Sequence, residues 1–264
     1  MKFKYQQRCA CGWPITPSIP IRPKHLGQLP TTKHLLHCPS AATDQTLRGV
    51  CEYFGLSYDE VMVPTDTTMP IEMPGAGRVN FAKCLATLPM TRGAEVGVAG
   101  GRFSRILCEN NPALQLHLID VWDADGEVQS NKRDWSYDYC MRRMTPFVSR
   151  VTVHKKFSVV ASTDIEDQSL DFVYLDANHN LPDIIADLAA WIPKVRPGGI
   201  VAGHDYHPYG KHKEVAGVYT PIQVKPAIHA WVSAYKVRPW FVLGQVGPEP
   251  TEPSDQSLSF FWVV

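Results

Sequence analysis

Long apolar runs are missing from this chain of 264 residues. None approaches the roughly 18 apolar residues needed to cross a bilayer, so neither a membrane span nor a membrane partner is predicted. The start, Met1 to Arg8, has no apolar core behind it and does not resemble a secretory signal, which makes the cytoplasm the expected location. Apolar residues make up 44% and charged residues 20%, a balance typical of globular proteins.

The chain has seven cysteines, an odd number, so they cannot all be paired within the chain. Without a secretory signal they are predicted to be reduced thiols and not a disulfide framework. Cys84, Cys108 and Cys140 lie in helix-like apolar contexts, where a small buried hydrophobic side chain is expected.

Net charge is zero, but the acidic and basic residues are unevenly distributed along the chain. The first 50 residues carry seven basic side chains against the single acid Asp44. Such a basic arm could face an anionic partner such as nucleic acid, or it could simply be a solvated surface.

Cysteine and histidine cluster within residues 1–42, which we interpret as a candidate zinc-binding module. Cys9, Cys11, His34 and Cys38 offer four soft ligands, and the last two share one face of a helix. His37 competes with His34 for this role. Repeated prolines exclude a long helix there, so zinc would stabilise a segment with little core of its own. The alternative is a set of free thiols in a docked loop.

The rest of the chain divides at a change of pattern. Residues 43–76 are predicted to form a helix, at about 44–62, and a linker. Residues 77–264 alternate strands with helices, which specifies a mostly parallel sheet with helices on both faces. Seven strands are predicted in all, and the last two form a hairpin that puts one antiparallel strand into the sheet. The predicted strands are 94–99, 116–121, 151–154, 170–176, 200–203, 240–246 and 257–264, and the helices between them are 104–110, 137–148 and 181–192.

A glycine-rich turn follows the first strand of that series. Its residues are Glu95, Gly97, Gly100, Gly101 and Ser104. Glycine lets a backbone approach a ligand closely and start a helix whose amides face that ligand. The dinucleotide spacing Gly-x-Gly-x-x-Gly is not met, and the acid Glu95 would repel a pyrophosphate. A plain structural turn is the alternative.

Acidic and imidazole side chains follow three later strands. Asp120 ends the second strand, where a carboxylate can accept both hydroxyls of a ribose or cap the next turn. Asp176 ends the fourth strand with His179 close behind, and His204-Asp205 ends the fifth. Because carboxyl ends of neighbouring parallel strands line one crevice, these four residues are expected to converge. They could hold a divalent cation or supply a general base.

These motifs together resemble class I S-adenosylmethionine-dependent methyltransferases. The resemblance covers about residues 77–264 and rests on the segments 95–104, 120–122 and 174–206. The subgroup carries Asp-x-x-His after strand four and Gly-His-Asp-Tyr after strand five. It implies a Rossmann-like fold, with an antiparallel last strand. It also implies cofactor binding by Glu95, Gly97, Gly100, Gly101, Ser104, Asp120 and Asp176.

The subgroup is similar to O-methyltransferases that act on sugars, antibiotics and other small molecules, so the expected acceptor is a small-molecule or glycan hydroxyl. Several of its members bind magnesium at acids that match Asp176 and Asp205. This chain has His204 where some relatives carry a second acid, which makes His204, with Asp205 and His179, a candidate for catalysis by general base.

Two other functions stay open at this point. A basic zinc module could recruit nucleic acid as the methyl acceptor, in which case binding would depend steeply on salt. A non-catalytic adapter could retain the scaffold, with cofactor and zinc as structural components. Self-association into a homo-oligomer is a further expectation. The segments 123–150 and 207–226 are expected to be loop-rich insertions that choose the acceptor.

Overall fold

The computed structural model describes residues 40–63, 69–122, 137–207, 212–215, 218–244 and 258–264. The helices described are α1 (Ala41–Phe54), α2 (Tyr58–Val61), α3 (Arg78–Thr87), α4 (Arg102–Asn110), α5 (Tyr137–Met144), α6 (Ser158–Ser162), α7 (Leu181–Trp191) and α8 (Val224–Tyr235). The strands described are β1 (Ile71–Met73), β2 (Arg92–Val96), β3 (Gln115–Asp120), β4 (Val151–Lys155), β5 (Leu170–Leu175), β6 (Val195–Gly203), β7 (His212–Val215), β8 (Val218–Pro221), β9 (Trp240–Leu243) and β10 (Ser259–Val263). Short 3₁₀ helices cover Thr145–Arg150 and Ile192–Lys194.

One large sheet organises these elements, in the order β1-β9-β10-β6-β5-β2-β3-β4. β10 runs antiparallel to both of its neighbours, and the other pairs in this sheet are parallel. The predicted mostly parallel sheet with an antiparallel C-terminal strand is therefore confirmed. The carboxyl ends of β2, β3, β5 and β6 consequently meet along one edge, where the predicted site residues follow them.

Two apolar cores lie on opposite faces of the sheet, which confirms the prediction of helices on both faces. Side chains alternate between the cores along each strand, so Leu118 joins one and Ile119 joins the other. The first core collects apolar residues of α1, α3, α4 and α5, and the second those of α6, α7 and α8.

The sheet has eight strands where seven were predicted, because β1 lies inside the segment that was predicted to be a linker. β1 pairs with β9 in parallel, with Ile71 opposite Phe241 and Met73 opposite Leu243. Three residues are too few to show a period of two, so the pattern of apolar residues did not indicate a strand. The proline after Met73 favours extended backbone at that residue, which is the local signal available.

The helix predicted at 44–62 is interrupted. Gly55 adopts the left-handed conformation, with φ of 67°, and ends α1 before α2 begins. α1 packs on the large sheet, since the Thr46 hydroxyl donates a 2.7 Å hydrogen bond to the carbonyl of Gly198. No helix among the described residues is long and apolar enough to cross a membrane.

The segment 207–226, expected to be loop-rich, also contains regular structure. β7 and β8 form an antiparallel pair there, and α8 begins at Val224. The first half of the insertion 123–150 lies outside the described residues, as do the candidate zinc ligands Cys9, Cys11, His34 and Cys38 and the alternative ligand His37.

Candidate active site

The glycine-rich turn after β2 is held in an unusual backbone conformation. Gly97 and Gly101 have φ of 90° and 70°, values that glycine adopts without strain. A Cβ atom at Gly97 would lie 2.1 Å from the carbonyl oxygen of Asp176, and one at Gly101 would lie 2.8 Å from the sulfur of Cys140. The turn therefore needs glycine at both positions, because it touches the end of β5 on one side and α5 on the other.

Side chains from two other elements fix the middle of this turn. Arg143 of α5 donates to the carbonyl of Gly100 at 2.7 Å. The indole of Trp122 donates to the carbonyl of Ala99 at 2.8 Å. These two donors, neither of which was predicted as a site residue, hold the turn in one arrangement before any ligand arrives.

Glu95 and Ser104 lie beneath the turn. Their side chains are buried, and the Ser104 hydroxyl donates to Oε2 of Glu95 at 2.5 Å. Burial raises the pKa of Glu95 to about 8, so this carboxyl is neutral at pH 7. The pair ties the first turn of α4 to β2, and its predicted direct contact with the cofactor stays a prediction.

Asp120 lies at the end of β3, beside the turn. Its Oδ2 accepts from the Ala99 amide at 2.7 Å, and its Oδ1 accepts from the Trp122 amide at 3.1 Å. The capping interpretation is thus confirmed, and it does not oppose ribose binding, since a carboxylate offers about four acceptor positions.

The predicted convergence of Asp176, His179, His204 and Asp205 is observed at the ends of β5 and β6. His179 Nε2 lies 2.6 Å from Oδ2 of Asp205 and 3.5 Å from Oδ1 of Asp176. His204 Nδ1 lies 3.6 Å from Asp176 and 3.5 Å from Asp205. His207 adds a third imidazole, with its Nε2 3.6 Å from Oδ1 of Asp205. All five residues are largely or wholly buried.

The imidazoles control the charge of both acids. Burial would raise the pKa of Asp176, but the charge of His204 and hydrogen bonds from His179 and His204 outweigh it and lower that pKa to about 2. For Asp205, burial is likewise outweighed, by hydrogen bonds from His179 and His207 and by the charges of His179 and His204, and its pKa lies far below the ordinary value. Both acids are therefore carboxylates at neutral pH, which suits them to orient an imidazole or ligate a cation.

Asp205 also has a left-handed backbone. Its φ is 54°, in a region that few residues other than glycine occupy, although aspartate and asparagine tolerate it better than most. The next residue, Tyr206, is anchored by its amide to the carbonyl of Leu258 at 3.0 Å and by its hydroxyl to Nε2 of His229 at 2.6 Å. Strained backbone persists where the surroundings over-determine it, and such positions cluster at functional sites.

Arg78 is a site residue that the sequence did not reveal. It begins α3, and its Nη1 lies 3.5 Å from Oδ2 of Asp176, with the guanidinium 5.4 Å above the ring of Phe103. The glycines before Arg78 are a signal for a turn, but its pairing with an acid 98 positions later depends on the tertiary fold. His207 was noted only as part of an insertion, and His229 lies in a helix that was not predicted.

A ligand set for one cation is present in the cluster. One ligand atom each from Asp176, His179 and Asp205 lies within 4.8 Å of the others. Two carboxylates and one imidazole can ligate a divalent cation, and the magnesium predicted at Asp176 and Asp205 stays a prediction.

Residues 94–206 match a family model described as a methyltransferase domain. Over 113 residues the chain is 28% identical to the uncharacterized protein y4gI of Sinorhizobium fredii (strain NBRC 101917 / NGR234). That match covers 43% of this chain and 12% of the relative, so the chain spans a small part of the curated protein it resembles.

Solved structures share the fold over most of the chain. The O-methyltransferase TomG from Streptomyces achromogenes, involved in tomaymycin synthesis and solved with SAM, aligns over 87% of this chain and 92% of its own, with 17% identity and a TM-score of 0.50. A proposed caffeoyl-CoA O-methyltransferase from Staphylococcus aureus aligns over 85% and 93%, with 14% identity and a TM-score of 0.50. These likenesses establish the Rossmann-like methyltransferase fold.

Proposed function

We propose that the chain is an S-adenosylmethionine-dependent methyltransferase and that it methylates a hydroxyl of a small molecule or sugar, since residues 94–206 match a family model described as a methyltransferase domain. The observation that carries the proposal is the cluster of carboxylates and imidazoles beside the glycine turn. His179 and Asp205 form its closest pair, at 2.6 Å. A base beside a cofactor-binding turn is what methyl transfer to a hydroxyl requires.

The glycine turn and Asp120 fit S-adenosylmethionine. Gly97 has no Cβ to fill the space beside the end of β5, and the amides at the start of α4 face the same edge. Asp120, at the next strand end, would accept the ribose hydroxyls. When bound, the cofactor supplies a methyl group carried on a sulfonium sulfur. Once the methyl group is transferred to oxygen, the sulfur is left as a neutral thioether.

His179 would act as the general base, with Asp205 as the residue that orients it. Asp205 favours a proton on Nε2, which lies 2.6 Å from its Oδ2, and Nδ1 is then the basic nitrogen of the ring. As the acceptor oxygen forms its bond to the methyl group, its proton passes to this imidazole, and the Asp205 carboxylate stabilises the imidazolium. His204, which lies against both acids, is the second candidate for this role.

A divalent cation is the alternative means of activating the acceptor. Asp176, His179 and Asp205 would hold it, and it would lower the pKa of the acceptor hydroxyl. Calorimetric titration with Mg²⁺ and Mn²⁺ tests this alternative without an acceptor. Binding that is lost in Asp176→Asn supports a metal site, whereas no heat with either ion leaves the His179–Asp205 pair as the activating group.

Calorimetry with S-adenosylmethionine and S-adenosylhomocysteine tests the proposal itself. We expect both to bind, and Asp120→Ala to weaken binding at least roughly tenfold, because it removes the carboxylate that accepts the ribose hydroxyls. Asp138→Ala, which removes an exposed carboxylate from α5, is the matched control and should bind like the native chain. A native chain that binds neither compound would not be a methyltransferase.

A further inference from the structure

A cavity of about 410 Å³ lies where α1 ends, between β1 and the start of α3. Its walls include Tyr53, Phe54, Glu72, Met73, Ala76 and Asn80. This volume is within the range of sites that hold small molecules, roughly 300–1,000 Å³. None of the residues discussed as site residues above is part of its wall.

The cavity opens at the same edge of the sheet as the candidate active site. β1 is parallel to β9, and both β9 and β6 are antiparallel to β10, so β1 points the same way as β6 and β5. Met73, at the carboxyl end of β1, therefore lies on the edge that carries Asp176 and Asp205.

The start of α3 lies between the cavity and the carboxylate cluster. Ala76 and Asn80 line the cavity, and the side chain of Asn80 accepts a 2.9 Å hydrogen bond from the amide of Gly77. Arg78 lies between Ala76 and Asn80 in the sequence, and its side chain extends to Asp176, where Nη1 is 3.5 Å from Oδ2. A molecule in the cavity would thus lie one arginine side chain away from the cluster.

The chemistry of the wall selects the kind of molecule. Tyr53 and Phe54 pack edge to face with ring centroids 4.8 Å apart, which offers an aromatic surface. Glu72 supplies an exposed carboxylate, and none of the described residues that line the cavity is a lysine or arginine. Aromatic faces and an exposed carboxylate favour an aromatic ligand that carries an amine, and they disfavour an anion.

We propose that this cavity binds the body of the methyl acceptor, and that the acceptor is an uncharged or cationic aromatic compound bearing a hydroxyl. The assignment rests on the proposed methyl transfer, because only that function requires an acceptor beside Asp176. It excludes acceptors that present phosphate to the cavity, including a nucleic-acid backbone.

Two probes with the same ring and opposite charge test the proposal. Tyramine and 4-hydroxyphenylacetate are titrated into the full chain, and binding is followed by broadening of their ring-proton NMR signals. We expect tyramine to bind roughly tenfold more tightly at low salt, the effect of one nearby carboxylate on charges of opposite sign. Glu72→Lys should reverse that preference, whereas Glu166→Lys, on an exposed residue away from the cavity, should keep it.

Equal binding of the two probes, binding of neither, or an unchanged preference in Glu72→Lys would overturn the cavity assignment. Calorimetry with S-adenosylhomocysteine is run on the same samples to separate this result from the proposed function. Cofactor binding without a probe preference rejects the cavity alone. A probe preference that Glu72→Lys reverses, without cofactor binding, rejects methyl transfer and leaves an aromatic-amine site.

Discussion

Asp187 shows how one buried carboxyl connects two elements at the cost of stability. Its Oδ1 accepts a 2.5 Å hydrogen bond from Ser158, whose oxygen in turn accepts from the indole of Trp191 at 2.9 Å. Burial raises the pKa of Asp187 to about 6. The folded state therefore binds this proton more tightly than the unfolded state does, so stability rises as pH falls from about 6 towards the ordinary value near 3.8.

We expect Asp187→Asn to raise the free energy of unfolding by about 1–2 kcal/mol at pH 7.5, because it removes a buried charge and keeps an acceptor for Ser158. Near pH 4 the gain should vanish, since the native carboxyl is then protonated. Urea unfolding at both pH values measures the difference. Glu166→Gln, an exposed control, should show no such dependence, and an equal gain at both pH values would contradict the raised pKa.

Residue type and position predicted much of the site but not its partners. Most of the predicted site residues lie at the ends of strands or shortly after them, so the parallel sheet was enough to predict that they meet at one edge. These residues are Gly97, Asp120, Asp176, His179, His204 and Asp205. Arg78 and His229 reach the site from helices far away in sequence, and their contacts depend on how those helices pack. Sequence patterns of local period carry no information about such pairs.

Among the elements, β4 is one of the two edge strands of the large sheet, and a histidine pair helps to attach it. His117 Nδ1 of β3 lies 2.9 Å from His154 Nε2 of β4, and Asp164 lies 3.2 Å from the other nitrogen of His154. Burial, and then the charges of His154 and Arg92, lower the pKa of His117. One shared proton suits this pair, and a second would put two positive rings in contact.

Acid should therefore weaken the attachment of β4. A histidine whose folded pKa is lowered contributes stability above its unfolded pKa, near 6.5, and loses it as pH falls below that value. His117→Gln removes the imidazole that must become charged in acid. Between pH 7 and 5 we therefore expect the free energy of unfolding to fall by about 1 kcal/mol less in this variant than in the native chain. Denaturant unfolding at the two pH values measures it. The control is Gln115→Ala, at an exposed position of β3 without a titratable side chain, which should keep the native loss of unfolding free energy.

The same contrast between local pattern and packing holds for elements. The alternating strands and helices and the final antiparallel strand were predicted because each carries an apolar pattern of at least four residues. β1 has three residues between prolines, and it is a strand only because β9 is beside it. Gly55 divides the first helix for a local reason that the periodicity of its apolar residues does not show.

At the scale of the whole molecule, the order of strands and helices along the sequence was enough to predict the fold. Residues 1–39 lie outside the part of the chain that the structure describes, so the predicted zinc site stays a prediction. We propose that Cys9, Cys11, Cys38 and either His34 or His37 bind one zinc ion. Metal analysis of the full chain should then find about one zinc per chain, lost in Cys11→Ser.

Single variants of the two histidines identify the fourth ligand, since only one of them should lose the metal. His25→Ala is the control and should keep it, because His25 lies outside the proposed ligand set. A native chain without zinc would mean that these thiols are free.

The place of β10 in the sheet has a consequence for biosynthesis. β10 is formed by residues 259–263, yet it lies between β6 and β9 and connects β9 and β1 to the other strands. While the chain is being made, the sheet cannot close until these residues leave the ribosome, so Trp240, Phe241 and their neighbours on β9 must wait without their partner. Pairing over such sequence distances is slow, and exposed strands are prone to aggregate, so we expect the nascent chain to be most vulnerable to aggregation before β10 is in place.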